Sequence, residues 1–167
     1  MRSFDPLGAL ERLIQHDVEF AIIGGLAARL RGSPTVTDDL DICHSTAEAN
    51  LTRLASSLSS MHAILRGAED VALPLGARLL RQSHNLAFST DFGSLDCLAQ
   101  PPGIAGHAQL LRNADSIEID GVRIMIASFD DLMAMKRAAG RPKDLIELEV
   151  LGALRDELEA GRLRETR

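Results

Sequence analysis

The chain has 167 residues, which fits one compact domain and leaves little for a second core. Hydrophobic residues make up 46% and charged residues 25%, the proportions of a soluble globular protein, which excludes disordered and collagen-like classes. The formal charge of −6, with an isoelectric point of about 5.3, argues against a broad basic face for duplex DNA and leaves room for a local cationic pocket.

No apolar run approaches the roughly 18 residues of a membrane span, and the opening Met-Arg-Ser-Phe-Asp-Pro lacks the charged cap, apolar stretch and cleavage site of an export signal. A cytoplasmic location with no membrane partner is expected. Cys43 and Cys97 lie far apart in apolar segments, so they read as two buried thiols and not as a disulfide framework or zinc cluster.

In chain order, Asp5-Pro6 predicts a helix start, and Leu7, Leu10, Leu13 and Ile14 give that helix an apolar stripe ending near His16. Val18 to Ile23 predicts a buried strand, closed by Gly24-Gly25 and followed by a short helix that Gly32-Ser33-Pro34 breaks. Asp39 to Cys43 alternates carboxylate and aliphatic residues, the period of a strand, and Thr46 to Met61 carries apolar residues at helical intervals. Four short strands are expected next, at His62 to Arg66, Ala77 to Arg81, Leu86 to Thr90 and Ser94 to Ala99, ended by Gln100-Pro101-Pro102-Gly103.

Ile117 to Ile119 and Val122 to Ile126 flank Asp120-Gly121, a dipeptide suited to the positive φ angles of a two-residue hairpin turn. Ser128, with Asp131 three residues on, predicts a capped helix through Ala139; Gly140 ends it, and Pro142 opens a last helix running toward Glu159. The mixed-sign stretch from Arg155 to Arg167 is expected to fray. There is no internal repeat, and the order of elements describes one mixed α/β domain over 1–167, with a core at about 18–126 and a helical C-terminal part at about 128–160.

The chemistry concentrates at Asp39-Leu40-Asp41. Residues two apart on a strand face one side, so both carboxylates converge while Leu40 and Ile42 enter the core. Two adjacent carboxylates repel unless a cation lies between them, and hard oxygen ligands on a rigid strand suit Mg²⁺. A solvated face on an edge strand would use the same residues. Gly24-Gly25, thirteen residues before Asp39, forms a corner whose backbone can approach an anion.

Asp96, inside the apolar stretch Ser94-Leu95-Asp96-Cys97-Leu98, needs a partner, either a metal shared with Asp39 and Asp41 or an arginine such as Arg78 or Arg81. Lys136 shares the core-facing stripe of Phe129, Leu132 and Met133, so it snorkels or points into a cleft. Asp144 in the first turn after Arg141-Pro142-Lys143 complements the helix dipole, and Glu147 continues the polar edge. His16, His44, His62, His84 and His107 form no ligand cluster and read as surface or strand-end residues. The absence of a Gly-x-Ser-x-Gly elbow, a Walker loop, Trp and Tyr leaves serine hydrolase, P-loop ATPase and base-stacking readings without support.

Gly24-Gly25, the spacer and Asp39-Leu40-Asp41-Ile42, with Asp96 on a later strand, resemble the nucleotidyltransferase superfamily related to polymerase β. Met135 to Asp144 resembles its AbiEii and MenT group, the nucleotidyltransferase toxins of toxin–antitoxin systems. The resemblance implies a nucleotidyltransferase fold, with Asp39, Asp41 and Asp96 holding one or two Mg²⁺ ions and Asp96 helping to deprotonate the attacking hydroxyl. It implies a nucleoside triphosphate held at Gly24-Gly25, phosphate contacts from Lys136 with Arg141 or Lys143, and Asp144 orienting that cationic group.

Two positions depart from the pattern: Gly25 stands where many members have serine, and Thr35 where related toxins often have arginine. Thr37 matches a hydroxyl that is phosphorylated in some related toxins, and it could equally make a turn hydrogen bond. The implied activity is transfer of a nucleoside monophosphate from an NTP to the 3′ end of tRNA or another RNA, as the toxin partnered by a cognate antitoxin. The alternatives are transfer to a small molecule, as in antibiotic-modifying enzymes, and a non-catalytic protein that binds nucleotide or a partner.

Overall fold

A computed structural model describes residues 4–68, 74–119 and 121–165, with side chains described to residue 162. The elements are α1 (Pro6–Gln15), β1 (Phe20–Ile23), α2 (Gly24–Leu30), β2 (Asp39–His44), α3 (Glu48–Ser60), β3 (Ile64–Leu65), α4 (Ala77–Gln82), β4 (Asn85–Thr90), β5 (Gly93–Leu98), α5 (His107–Asn113), β6 (Asp115–Ile119), β7 (Val122–Ile126), α6 (Phe129–Ala139) and α7 (Pro142–Glu165). All seven strands form one mixed sheet in the order β3-β4-β5-β2-β1-β7-β6.

β2 and β1 lie at the centre of this sheet, which is why Phe20 to Ile23 are all buried and why Leu40 and Ile42 have no exposure. β1 runs antiparallel to β2 and parallel to β7, while β2 runs parallel to β5. Period two sends Leu40, Ile42, Leu95 and Cys97 to one face, where they join a core with Leu10, Leu13, Leu51, Leu54 and Leu58 from α1 and α3. The carboxylates on β2 and β5 go to the other face. A solvated edge strand is therefore not what Asp39 and Asp41 belong to.

Local chemistry sets the ends of several elements. Asp5 accepts a hydrogen bond from the Gly8 N–H at 3.0 Å before Pro6, and Ser128 accepts from the Asp131 N–H at 3.1 Å. Gly140, at φ +63°, ends α6 in the left-handed conformation. The β6–β7 ladder closes on Ile119 opposite Val122, the register of a two-residue turn; Asp120 itself lies outside the described residues.

Two expectations are corrected. Ala77 to Arg81 is helix α4 and not a strand, because Ala-Arg-Leu-Leu-Arg-Gln contains strong helix formers and no β-branched residue. The C-terminal stretch does not fray at Arg155; α7 continues through Glu165 on Glu, Leu, Arg and Ala, with no proline after Pro142. His44 is the strand-end residue expected, at the end of β2, and it is almost wholly buried, at 1% exposure. Helix α5, which starts after Gly106, is an element beyond those expected. No helix among the described residues is long and apolar enough to cross a membrane.

Asn50 ties the sheet to α3 at the end opposite the carboxylates. Its side-chain amide donates to the Glu19 and Ser45 carbonyls at 3.1 and 2.9 Å and accepts from the Glu19 N–H at 2.7 Å. These bonds clamp the residues just before β1 and just after β2, and so hold the register that sets Ile23 opposite Asp41. Asn50→Ala leaves those groups without their buried partner and is expected to lower the unfolding free energy by about 2–3 kcal/mol, read from the midpoint shift in urea.

Candidate active site

Two strands deliver the acidic residues to one place. β2 presents Asp39 and Asp41 on one face, and its parallel pairing with β5 sets Asp96 directly beside Asp41. Each of the three carboxylates offers an oxygen within 4.8 Å of the others. Burial, then Asp39 and Asp96, push the Asp41 carboxyl up to about 7, opposed by Lys136 and by a hydrogen bond from the Gly25 N–H. Burial and Asp39 also raise Asp96, opposed by Arg66. Carboxylate oxygens with no thiolate or imidazole among them are the donor set of a hard divalent cation, and Mg²⁺ fits it.

The glycine corner meets this acidic cluster at the end of β1. Gly24 has φ +66°, and a Cβ there would lie 1.9 Å from Asp41 Oδ2, so only glycine lets the backbone approach so closely. A Cβ on Gly25 would lie 2.8 Å from Thr37 Oγ1, so the space that a serine would need at this position is filled by the threonine. Thr37 donates to Asp39 Oδ1 at 2.5 Å and lies 3.3 Å from the Asp39 carbonyl oxygen, the local bond to backbone that a loop threonine makes, while the Thr35 hydroxyl accepts from Ser33 at 3.0 Å.

The basic residues form a second layer. Lys136 lies 3.2 Å from Asp144 Oδ1 and also pairs with Glu147. Arg141 grips Asp144 through Nε at 2.7 Å and Nη2 at 3.2 Å, and its backbone N–H adds a third bond at 3.1 Å. Asp144 is fully buried; the Arg141 guanidinium first, and Lys136 after it, outweigh burial and hold its carboxyl down to about 2. Asp144 thus does more than complement the α7 dipole. Lys143 lines the cleft and has no ion pair among the described residues.

Of the two kinds of partner expected for Asp96, a shared metal or an arginine, an arginine is present, and it is Arg66 where Arg78 and Arg81 were the examples; Arg81 binds Glu48. Arg66 and Glu147 join the site beyond the residues expected there. Arg66 carried only the signal of a basic residue ending a short apolar run, and Glu147 that of an acid one turn after Asp144. Cys43 and Cys97 are buried, with thiols pushed upward, Cys43 to about 12.

A cleft of about 580 Å³ unites these groups, within the size of small-molecule sites. Gly24, Gly25, Thr35, Thr37, Asp39, Asp41, Asp96, Lys136, Arg141 and Lys143 all line it, with Asp144 directly behind the two cations. The remaining wall is largely apolar, from Leu86, Leu98, Pro101, Pro102, Leu132 and Met135.

Solved structures share this architecture. The lincosamide antibiotic adenylyltransferase LnuA, in its lincomycin-bound form, superposes with a TM-score of 0.61 at 12% identity, over 89% of this chain and 95% of that one. The chain has the nucleotidyltransferase fold. The same fold appears in ANT(2″)-Ia complexed with adenylyl-2″-tobramycin, with a TM-score of 0.51 and 17% identity over 92% of this chain and 94% of that one. TM1012 of Thermotoga maritima, assigned as a nucleotidyltransferase, aligns with a TM-score of 0.50 and 16% identity over 92% and 89% of the two chains. No protein-family profile and no curated sequence matches the chain.

The raised Asp41 carboxyl fixes the pH behaviour of this nucleotidyltransferase-fold site. A carboxyl raised from 3.8 to about 7 contributes stability that is fully present below pH 4 and is lost as pH rises through about 7. In metal-free protein, the thermal stability of the wild type relative to Asp41→Asn is therefore expected to fall between pH 4 and 8. Because a cation must displace that proton, Mg²⁺ affinity measured by calorimetry should rise by up to about tenfold per pH unit below pH 7 and level off above it.

Proposed function

We propose that this protein is a Mg²⁺-dependent nucleotidyltransferase that moves a nucleoside monophosphate from an NTP to an acceptor hydroxyl. The observation that carries this reading is the meeting of three carboxylates with the glycine corner and Lys136 in one cleft. Asp39, Asp41 and Asp96 would hold one or two Mg²⁺ ions, which when bound neutralise phosphate charge. The Gly24-Gly25 corner receives the triphosphate against the sheet. Lys136, with Arg141 or Lys143, contacts its phosphates, and Asp144 orients Lys136 and Arg141. Asp96 accepts the proton of the attacking hydroxyl; a bond forms from that oxygen to the α-phosphorus, the bond to the bridging oxygen breaks, and pyrophosphate leaves.

For the acceptor, the stretch from Met135 to Asp144 supports the toxin-like reading, transfer to the 3′ end of tRNA or another RNA, with an antitoxin as partner. A small hydroxyl-bearing acceptor is the second reading, favoured by the apolar wall of the cleft, by the net charge of −6 and by neighbours that modify antibiotics. A non-catalytic binding protein is the third; it would have no need of all three carboxylates. Thr37, hydrogen-bonded to Asp39, is where phosphorylation would place about two negative charges against the acidic cluster and repel triphosphate.

The test incubates the protein with Mg²⁺ and each labelled NTP, with either total tRNA or a panel of aminoglycosides and lincosamides. Label is expected in one acceptor class, with pyrophosphate release, and Asp41→Ala should reduce the rate by at least about 10³-fold. Label in RNA selects the toxin-like reading and label in an antibiotic the second. Nucleotide binding without turnover or pyrophosphate release would leave only the non-catalytic protein.

A further inference from the structure

The row of side chains through the acidic cluster continues across two more strands. Asp41 is in register with Asp96, and Asp96 with Ala87 on β4. β3 pairs Ile64 with Ser89 and Leu65 with Phe88, so Arg66 occupies the next rung, opposite Ala87, and its N–H donates to the Ala87 carbonyl at 2.8 Å. Asp41, Asp96, Ala87 and Arg66 therefore share one face of the sheet.

Between Arg66 and Asp96 stands only the methyl group of Ala87, and the guanidinium reaches past it to bond Asp96 Oδ1. The two side chains of this pair are 36% and 30% exposed, whereas Lys136 is 11% exposed and held by two carboxylates. A pair this open to water has little net stability, so its guanidinium can exchange with solvent.

We propose that Arg66 is an internal competitor for the metal site: its guanidinium occupies Asp96 in the metal-free protein, and a divalent cation engages all three carboxylates only when Arg66 swings aside. Arg66 already bonds Asp96 Oδ1, so a metal on Asp96 would share that carboxylate with the guanidinium, and two cations beside one carboxylate repel each other. The ion binding Asp39 and Asp41 meets no such obstacle. This inference rests on reading the three carboxylates as a metal site.

Mn²⁺ alone is titrated into the full chain by calorimetry, for wild type, Arg66→Met, Asp96→Asn and the double variant, with circular dichroism as the check on folding. Arg66→Met is expected to bind Mn²⁺ about tenfold more tightly than wild type, and the gain should vanish when Asp96→Asn is combined with it. Should Arg66→Met fold poorly, Arg66→Gln carries the same test with a neutral polar side chain. Affinity equal to or below that of the wild type overturns the proposal, as does a gain that survives in the double variant, or the absence of Mn²⁺ binding in both wild type and Arg66→Met. A wild type that binds Mn²⁺ yet transfers no nucleotide removes the proposed activity and leaves the Arg66 inference standing.

Discussion

Repulsion among three carboxylates organises this molecule. Asp39, Asp41 and Asp96 approach within 4.8 Å of one another on a rigid central sheet, where β2 and β5 cannot separate without breaking a ladder of five paired residues. Charge held this closely must be relieved by protons or by cations, and the structure displays both remedies: Asp41 holds its proton up to about 7, and Arg66 lies on Asp96. The glycine corner tightens the same constraint, since Gly24 presses its backbone against Asp41 where any side chain would collide.

The cations nearest the cleft are themselves governed by acids behind them. Asp144 is buried and bonded to both Lys136 and Arg141, and Glu147 adds to the hold on Lys136. Lys136 and Arg141 are thereby held by Asp144 and Glu147 and do not collapse onto the acidic cluster. The acidic cluster and the Lys136–Arg141 pair thus line one cleft, the arrangement on which the proposed binding of a triphosphate with a divalent ion rests.

Much of this was legible from local pattern. The alternation in Asp-Leu-Asp-Ile gives a strand with both acids on one face whatever its neighbours, and Gly-Gly after a buried apolar run gives a corner. The capping of α6 by Ser128 and the two-residue register of the β6–β7 hairpin follow from equally short-range chemistry. What local pattern lacks is pairing across the sheet. Arg66 meets Asp96 only because β3, β4 and β5 align in a register that no sequence interval encodes, and Arg78 and Arg81 were equally plausible partners until α4 turned them elsewhere. The segment from Ala77 to Arg81, a short run with two leucines, suits a strand or a helix by periodicity, and its helix-forming composition decides for α4. The burial of Asp144 was hidden for a related reason, since an acid in the first turn of a helix is ordinarily solvated, and here the packing of α6 on α7 covers it.

The most direct measurement is anomalous diffraction from crystals soaked in Mn²⁺ with a non-hydrolysable NTP analogue. A divalent ion about 2.0–2.2 Å from oxygens of Asp39, Asp41 and Asp96, with phosphate oxygens completing its shell, is the result predicted here. Nucleotide bound away from the Gly24-Gly25 corner, or an anomalous peak that leaves these three carboxylates untouched, would contradict it.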